Sequence, residues 1–323
     1  MKVSVQNSSR IFFSLAVTAF LFVNLRFRHD KDRSSSQTVS ESGTFPYGYS
    51  EMCDIVPIGE KQVWNTNKKV ISFALFHSGP ADDDDLFRWY FNGALHNIQG
   101  ARLYYPDWIV RLHVFGLNKS SERELLERTD NVELVRCSLQ STLAKSPSRK
   151  MMARFLSYDD PKVSHVISRD LDSRFSPREL FAVNQWLSIG ARFHTMRDHS
   201  HHNVPVLGGM FGIRRGALQS KYASMTSLIT SAFNDNPHGL TGAPGEDQSF
   251  LLNYVWPVVV GEALAHDNSM KRCTGYGALA CLEFPLANSE AEPQVFVGQA
   301  FKPSGELSTT EEKSQYTCSM SCY

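Results

Sequence analysis

The fold of this chain is indicated by the stretch Val163-Ser-His-Val-Ile-Ser-Arg169-Asp170-Leu-Asp172-Ser-Arg174. Its apolar first part predicts a buried strand, which runs into the two carboxylates of Asp170 and Asp172. Carboxylates one residue apart at the end of a buried strand suit a hard divalent cation, and the flanking arginines suit a diphosphate. The alternative is a solvated strand end that leads into the cap of the next helix.

The segments on either side alternate between strand and helix patterns. The run 70–76 is apolar at every position but Ser72, as expected for a strand buried on both faces. This alternation predicts an α/β fold: a mostly parallel central sheet with helices on both faces. Ligands of such sheets bind at the carboxyl ends of strands, which favours the metal interpretation. The predicted strands are 70–76, 108–115, 132–136, 163–167, 193–198, 206–216 and 257–260, and the predicted helices are 86–103, 121–128, 148–158, 177–189, 217–233 and 246–255.

Composition gives a globular chain without a charge bias. The 323 residues carry 33 lysines and arginines against 33 aspartates and glutamates, so nothing in the balance indicates nucleic acid as a partner. The six cysteines are compatible with disulfides, and none lies in a paired zinc pattern. Six cysteines permit 15 pairings, among which the sequence does not choose; local bridges between Cys273 and Cys281 and between Cys318 and Cys322 are candidates.

The N-terminal region predicts a targeting segment followed by a linker. The uncharged, apolar residues 11–25 favour a signal anchor, although a cleaved signal peptide and a buried core helix are alternatives. The basic residues that follow the segment oppose the expected orientation. We therefore expect a single-pass type II protein of the Golgi or endoplasmic reticulum membrane, with a lumenal catalytic domain. Its parts are a cytoplasmic tail (1–10), the transmembrane anchor (11–25), a flexible stem (26–66), the catalytic domain (67–305) and a C-terminal tail (306–323).

Three later features carry polar or backbone chemistry. Gly208 and Gly209 lie in an apolar strand and leave room for a group to approach the backbone, or else mark a bulge. Glu246 and Asp247 open a predicted helix, where carboxylates are also ordinary caps. Asn118 begins an Asn-Lys-Ser sequon, which predicts N-glycosylation in a lumenal loop.

Taken together, four pieces of the sequence resemble DxD-containing glycosyltransferases of the GT-A (nucleotide-diphospho-sugar transferase) fold. The resemblance extends over residues 68–301. The pieces are Met152-Ala-Arg154-Phe-Leu with the strand and Asp pair, Arg197-Asp198-His199 through Val204-Pro-Val-Leu-Gly-Gly-Met-Phe-Gly212, Gly245-Glu246-Asp247-Gln248, and His266-Asp267 with Phe296-Val-Gly-Gln-Ala-Phe301.

The resemblance implies a metal site and a nucleotide-sugar site. Asp170 and Asp172 would hold Mn²⁺ (or Mg²⁺), and His266 would be a third ligand, with His199 and His202 as competitors. For any one histidine, a structural hydrogen-bonded role is the alternative. The residues implied to contact the donor are Phe76, His77 and Ser78 at the nucleoside, Arg154, Arg169 and Arg174 at the phosphates, and Gly208 and Gly209 at the sugar and acceptor.

The resemblance also places the catalytic carboxylate at Glu246-Asp247. In an inverting enzyme Asp247 would take the proton of the acceptor hydroxyl, whereas in a retaining enzyme Asp247-Gln248 would position the donor sugar. Asp198 is a second candidate. The implied activity is Mn²⁺-dependent transfer of a sugar from a nucleotide sugar to a glycan, glycoprotein or glycolipid. The alternatives are a metal-dependent hydrolase and a non-catalytic lumenal binding protein on the same scaffold.

Overall fold

A computed structural model describes most of the chain from residue 48 onward. The described residues are 48–50, 52–55, 67–77, 84–127, 131–219, 221–235, 240–285, 295–302, 304 and 306–308.

The described residues form ten strands and eight α-helices. The strands are β1 (Gly48–Ser50), β2 (Cys53–Ile55), β3 (Lys68–Phe76), β4 (Ile109–Phe115), β5 (Val132–Cys137), β6 (Val163–Arg169), β7 (Phe193–Arg197), β8 (Met210–Arg214), β9 (Ala263–Asp267) and β10 (Ala280–Leu282). The helices are α1 (Asp84–Tyr104), α2 (Lys119–Leu126), α3 (Pro147–Met152), α4 (Pro177–Ile189), α5 (Met225–Asp235), α6 (Glu246–Phe250), α7 (Trp256–Val259) and α8 (Met270–Gly275). The chain also forms short 3₁₀ turns at Thr142–Lys145, Ala153–Asp159 and Val260–Glu262 and a π-helical turn at Leu251–Val255.

All ten strands join one sheet in the order β1-β2-β5-β4-β3-β6-β8-β7-β9-β10. The pairs β3–β4, β3–β6, β4–β5, β7–β9 and β9–β10 are parallel. β8 is antiparallel to both β6 and β7, and β2 is antiparallel to β1 and β5. The predicted α/β class is confirmed, but the sheet is mixed rather than mostly parallel.

Two apolar cores lie on opposite faces of the sheet, as neighbouring residues of β3 show. Val70 packs with α3, α5 and the helices that follow residue 246, whereas Ile71 packs with α1 and α4. Successive side chains of a strand point to opposite faces, so a strand covered on both sides must be apolar at almost every position. Helices therefore cover both faces, in agreement with the largely apolar run of residues 70–76.

The helix that follows the Asp pair has the predicted boundaries. The Ser176 hydroxyl accepts a hydrogen bond from the Glu179 amide at 3.2 Å, and Pro177 occupies the first helical position. Gly190 ends α4 with a φ of 78°, a left-handed conformation that glycine adopts without a steric cost. The serine, and neither aspartate, therefore caps this helix.

One predicted strand is wrong and three predicted helices begin or continue differently, of which the one predicted at 148–158 continues as a 3₁₀ turn after Met152. Residues 257–260 fall in α7 and the 3₁₀ turn after it, and the strand is the next segment, β9. Pro257 is the reason, because proline suits the first turn of a helix and donates no hydrogen bond to a sheet. The helix predicted at 217–233 starts only at Met225, and the one predicted at 246–255 ends in a π-helical turn.

The sheet extends into the segment predicted as a stem. β1 and β2 fall within 26–66, and the Cys53–Cys137 disulfide ties β2 to the end of β5. The candidate Cys273–Cys281 bridge is present and joins α8 to β10. Cys318 and Cys322 lie outside the described residues.

The prediction of a Golgi or endoplasmic reticulum membrane protein is wrong. Across the part of the chain that the structure describes, no helix combines the length and the apolar character needed to cross a membrane. The predicted tail 1–10 and anchor 11–25 themselves lie outside the described residues, as does the C-terminal segment from residue 309 onward.

Candidate active site

The candidate site lies where β6 ends and β8 begins. Asp170 directly follows β6, and Arg169, the last residue of that strand, pairs with Met210, the first residue of β8. Because β8 runs antiparallel, the turn that enters it lies at the edge where β6 ends. Gly208 and Gly209 are the last two residues of that turn, so the strand direction brings them beside Asp170.

The two glycines form a surface of bare main chain under charged side chains. A Cβ atom on Gly209 would lie 2.1 Å from Oδ2 of Asp170, and one on Gly208 would lie 2.5 Å from Nη2 of Arg154 and 3.3 Å from Oδ2 of Asp247. No side chain fits at either position without displacing these groups. The room that the glycines leave is occupied by the arginine and the carboxylates.

Arg154 joins the two carboxylates above this surface. It lies in the 3₁₀ turn after α3 and is 3% exposed. Its guanidinium donates to Oδ1 of Asp170, to Oδ2 of Asp247 at 3.4 Å and to the main-chain oxygen of Arg169 at 3.3 Å. We call Arg154, Asp170, Gly208, Gly209 and Asp247 the Arg154 cluster.

Asp247 is the buried carboxylate of the cluster. Burial raises the pKa of the Asp247 carboxyl, Arg154 lowers it in part, and the Asp170 charge raises it further. A carboxylate whose pKa is raised accepts a proton more readily, as a general base requires. The neighbouring Gln248 accepts from the Gly208 amide at 3.1 Å and donates to the Val206 carbonyl, so it fixes the turn beneath the cluster.

The other residue predicted to be catalytic, Glu246, points elsewhere. Arg149 donates to both of its carboxylate oxygens, at 2.9 and 3.0 Å, and the Glu246 side chain is 2% exposed. A bidentate, charge-assisted pair of this kind holds helices together and leaves no oxygen for a substrate. Glu246 therefore anchors α6 on α3 and lies outside the Arg154 cluster.

Arg169 and Arg174 make internal contacts. Arg169 donates to Glu179 and to the Ser168 carbonyl, both at 2.7 Å. Arg174 donates to the carbonyls of Leu171 and Ser173 at 3.0 and 2.8 Å, and burial lowers its pKa. Both arginines thus shape the loop of the Asp pair from within, and the structure does not bring them into the Arg154 cluster.

The end of β3 carries the residues predicted to meet a nucleoside. The His77 ring stacks on Phe87 with ring centroids 3.8 Å apart, and Phe76 packs edge-on against Phe115. The Lys150 ammonium donates to the His77 carbonyl at 3.4 Å. Ser78 lies outside the described residues.

The three predicted histidine ligands and Asp198 have structural partners. His266 lies in β9, where Nδ1 contacts His194 at 2.8 Å and Nε2 contacts Gln185 at 3.0 Å, and burial lowers its pKa to about 3. Nδ1 of His202 accepts from the Asp198 amide at 3.1 Å, and His199 stacks on Phe296. Arg178 binds both carboxylate oxygens of Asp198, at 2.8 and 2.7 Å.

A divalent cation fits the carboxylates of the site but not His266. The Asp170 side chain is 38% exposed, and Asp172 is 5% exposed in the turn that follows. Mg²⁺ and similar ions bind through one or two carboxylates together with substrate phosphates, a donor set that these aspartates match. Among the described residues, no group of three or more His, Cys, Asp or Glu side chains is arranged to hold a metal. The predicted third protein ligand has no counterpart there.

Comparison with known proteins does not decide the function. No protein-family model matches the chain, and no curated protein matches it. One similar solved structure is 4-diphosphocytidyl-2C-methyl-D-erythritol synthase from Anaerococcus prevotii, at 11% identity and a TM-score of 0.37, covering 66% of this chain and 95% of that one. A likeness this low carries no argument about activity, so the function rests on the site itself.

Proposed function

We propose that this protein is a glycosyltransferase that moves a sugar from a nucleotide-diphosphate sugar to an acceptor hydroxyl, with Mn²⁺ or Mg²⁺ as cofactor. The supporting observation is the Arg154 cluster: one buried guanidinium contacts Asp170 and Asp247 above the bare backbone of Gly208 and Gly209. These residues come from separate segments and converge at the edge of the sheet where α/β proteins bind ligands.

Each member of the cluster has a role in this proposal. Asp170 and Asp172 would hold the cation, whose chemistry is to neutralise the charge of the departing nucleoside diphosphate. Arg154 would bind the phosphates, because its planar guanidinium matches phosphate oxygens. The main chain of Gly208 and Gly209 would lie under the sugar.

Asp247 has one of two roles, according to stereochemistry. In an inverting reaction the acceptor oxygen bonds to the anomeric carbon, the bond from that carbon to the diphosphate oxygen breaks, and the hydroxyl proton passes to Asp247. In a retaining reaction Asp247 positions the donor sugar. The anomeric configuration of the product, read by NMR, separates the two roles.

A thermal-shift screen of UDP-, GDP- and other nucleotide-diphosphate sugars with Mn²⁺ tests the proposal. Binding at about 100 times the dissociation constant adds about 2.7 kcal/mol to the unfolding free energy, which should raise Tm by roughly 4 °C. Asp170→Asn should abolish the shift and the transfer of sugar, and Asp247→Asn should abolish the transfer, whereas Asp107→Asn, at an exposed carboxylate, should retain both. If no nucleotide sugar raises Tm, or if Asp170→Asn transfers sugar at the wild-type rate, the proposal fails.

A further inference from the structure

Two residues on one face of α1 contact the loop of the Asp pair, and a third contacts the segment that pairs with this loop. Trp89, Gly93 and Asn97 are spaced four apart, so they lie above one another on the helix. We call them the α1 stripe. Trp89 is 6% exposed and Asn97 is 1% exposed. Buried polar groups need hydrogen-bond partners, and in both cases the partners belong to the loop or to the segment that pairs with it.

Asn97 holds the loop on both sides of Asp172. Its side-chain amide donates to the carbonyls of Leu171 and Ser173, both at 3.1 Å, and to the Gly93 carbonyl of its own helix at 3.0 Å. A single side chain thus binds the carbonyl groups of the two residues on either side of the second aspartate.

Gly93 sets how closely the helix approaches the loop. A Cβ atom at this position would lie 2.2 Å from the Leu171 carbonyl oxygen and 3.0 Å from its carbon. The obstacle is main chain, so a side chain here must push the loop away from the helix.

Trp89 holds the loop through a second segment. Its indole N–H donates to the Phe301 carbonyl at 2.8 Å, and the Phe301 amide donates to the Asp172 carbonyl at 2.7 Å. Ser173 and Ala300 form an antiparallel bridge beside this contact. The loop is thereby held between α1 and residues 300–301.

We propose that the α1 stripe is a positioning element, which holds the loop so that Asp170 and Asp172 are arranged for the cation and diphosphate before either binds. This inference rests on the proposed function. Outer groups that orient metal ligands typically change metal affinity by about 10–100-fold when they are removed. The stripe acts through the loop and touches neither the cation nor the substrate.

The chain provides matched variants for the test. Gly93→Ala is compared with Gly100→Ala on the same helix, where a Cβ would meet only the Phe175 ring, at 3.1 Å. Asn97→Ala is compared with Asn131→Ala, which removes a similar hydrogen bond, from the side-chain amide to the Trp108 carbonyl at 3.0 Å. Trp89→Phe keeps a buried aromatic ring and removes the indole donor with part of the bulk, so this variant is expected to fold.

Affinity for UDP and GDP, each with Mn²⁺, is measured by calorimetry, and hydrogen exchange of the Ser173 and Phe301 amides is measured on the metal-free protein. Gly93→Ala and Asn97→Ala should weaken binding by about tenfold or more and Trp89→Phe by less, each with faster exchange at these amides. The two control variants should bind as the wild type does. Wild-type affinity in Gly93→Ala and Trp89→Phe would overturn the inference while leaving the proposed function intact. Failure of the wild type to bind either nucleotide with Mn²⁺ would overturn both.

Discussion

The buried pair between Arg149 and Glu246 gives a prediction about the fold that also bears on catalysis. Arg149→Met removes the guanidinium, whose central carbon lies 4.3 Å from the centroid of the Phe233 ring, and keeps much of the apolar stem. The carboxylate of Glu246, which is 2% exposed, then loses both of its contacts with the Arg149 guanidinium. The variant also loses the bond from Arg149 to the Leu240 carbonyl, at 3.2 Å.

The loss should be large at neutral pH. Breaking a buried ion pair by removing one partner costs about 3–5 kcal/mol, because the remaining charge is left without compensation. Arg149→Met should therefore lose about 3–5 kcal/mol of unfolding free energy near pH 7.5, relative to the wild type.

Urea unfolding of four proteins measures this effect: the wild type, Arg149→Met, Glu246→Gln and the double variant. The double variant should be more stable than Arg149→Met, because no charge is then left buried, and the coupling energy should exceed about 2 kcal/mol. If Arg149→Met falls within about 1 kcal/mol of the wild type at pH 7.5, or if the second change recovers nothing, then Glu246 is not held by this pair and a catalytic role would again be open.

Three further predictions concern the site, the pH dependence and the disulfides. Gly209→Ala should remove nucleotide binding without unfolding the protein, because its Cβ would lie 2.1 Å from the Asp170 carboxylate. The unfolding free energy should fall as pH drops below 6.5, because burial lowers the pKa of His113 to about 3 and only the unfolded chain then takes up a proton. This histidine alone should lower the unfolding free energy by about 2 kcal/mol at pH 5. Replacing the cysteines of the Cys53–Cys137 bridge with serine should cost about 4.6 kcal/mol, and those of the Cys273–Cys281 bridge about 2.5 kcal/mol, from sequence separations of 84 and 8.

Each of these has a measurement and a control. Nucleotide binding by Gly209→Ala is compared with Gly261→Ala, where a Cβ would meet nothing within 4 Å, and equal affinities would contradict the packing argument. Urea unfolding of His113→Gln across pH should show a shallower fall than the wild type, and an identical curve would assign the acid sensitivity to other groups. For the disulfides, an equal loss from both pairs would contradict the dependence on loop length.

Local features of the sequence were enough to predict the elements next to the Asp pair. The apolar start of β6, the Ser176 cap and Gly190 act within a few residues of themselves, so their effects can be read along the chain. The position of Asp170 at the end of a strand followed from the same pattern. Strand order and direction did not, because an apolar run such as β8 looks the same in either direction.

The partners of the polar side chains could not be predicted either, because they lie far away along the chain. Arg149 and Glu246 are 97 residues apart, and Asn97 lies 74 residues from Leu171. His266 was expected in a polar segment near the cation, yet it lies in β9 between His194 and Gln185. A histidine on a strand carries no sign in the sequence that another histidine will occupy its nitrogen.

The two described disulfides also hold the edges of the sheet in place, which should limit pairing with strands of other chains. β1 and β10, the edge strands, have three residues each, and short edges offer few unpaired amides to a foreign strand. Cys53 secures β2 to β5 beside one edge, and Cys281 secures β10 at the other. Reduction of the two disulfides would free β2 and β10 to separate from the sheet, which would expose the unpaired edges of β5 and β9 to strand addition. Loss of solubility in reductant should therefore precede loss of the fold.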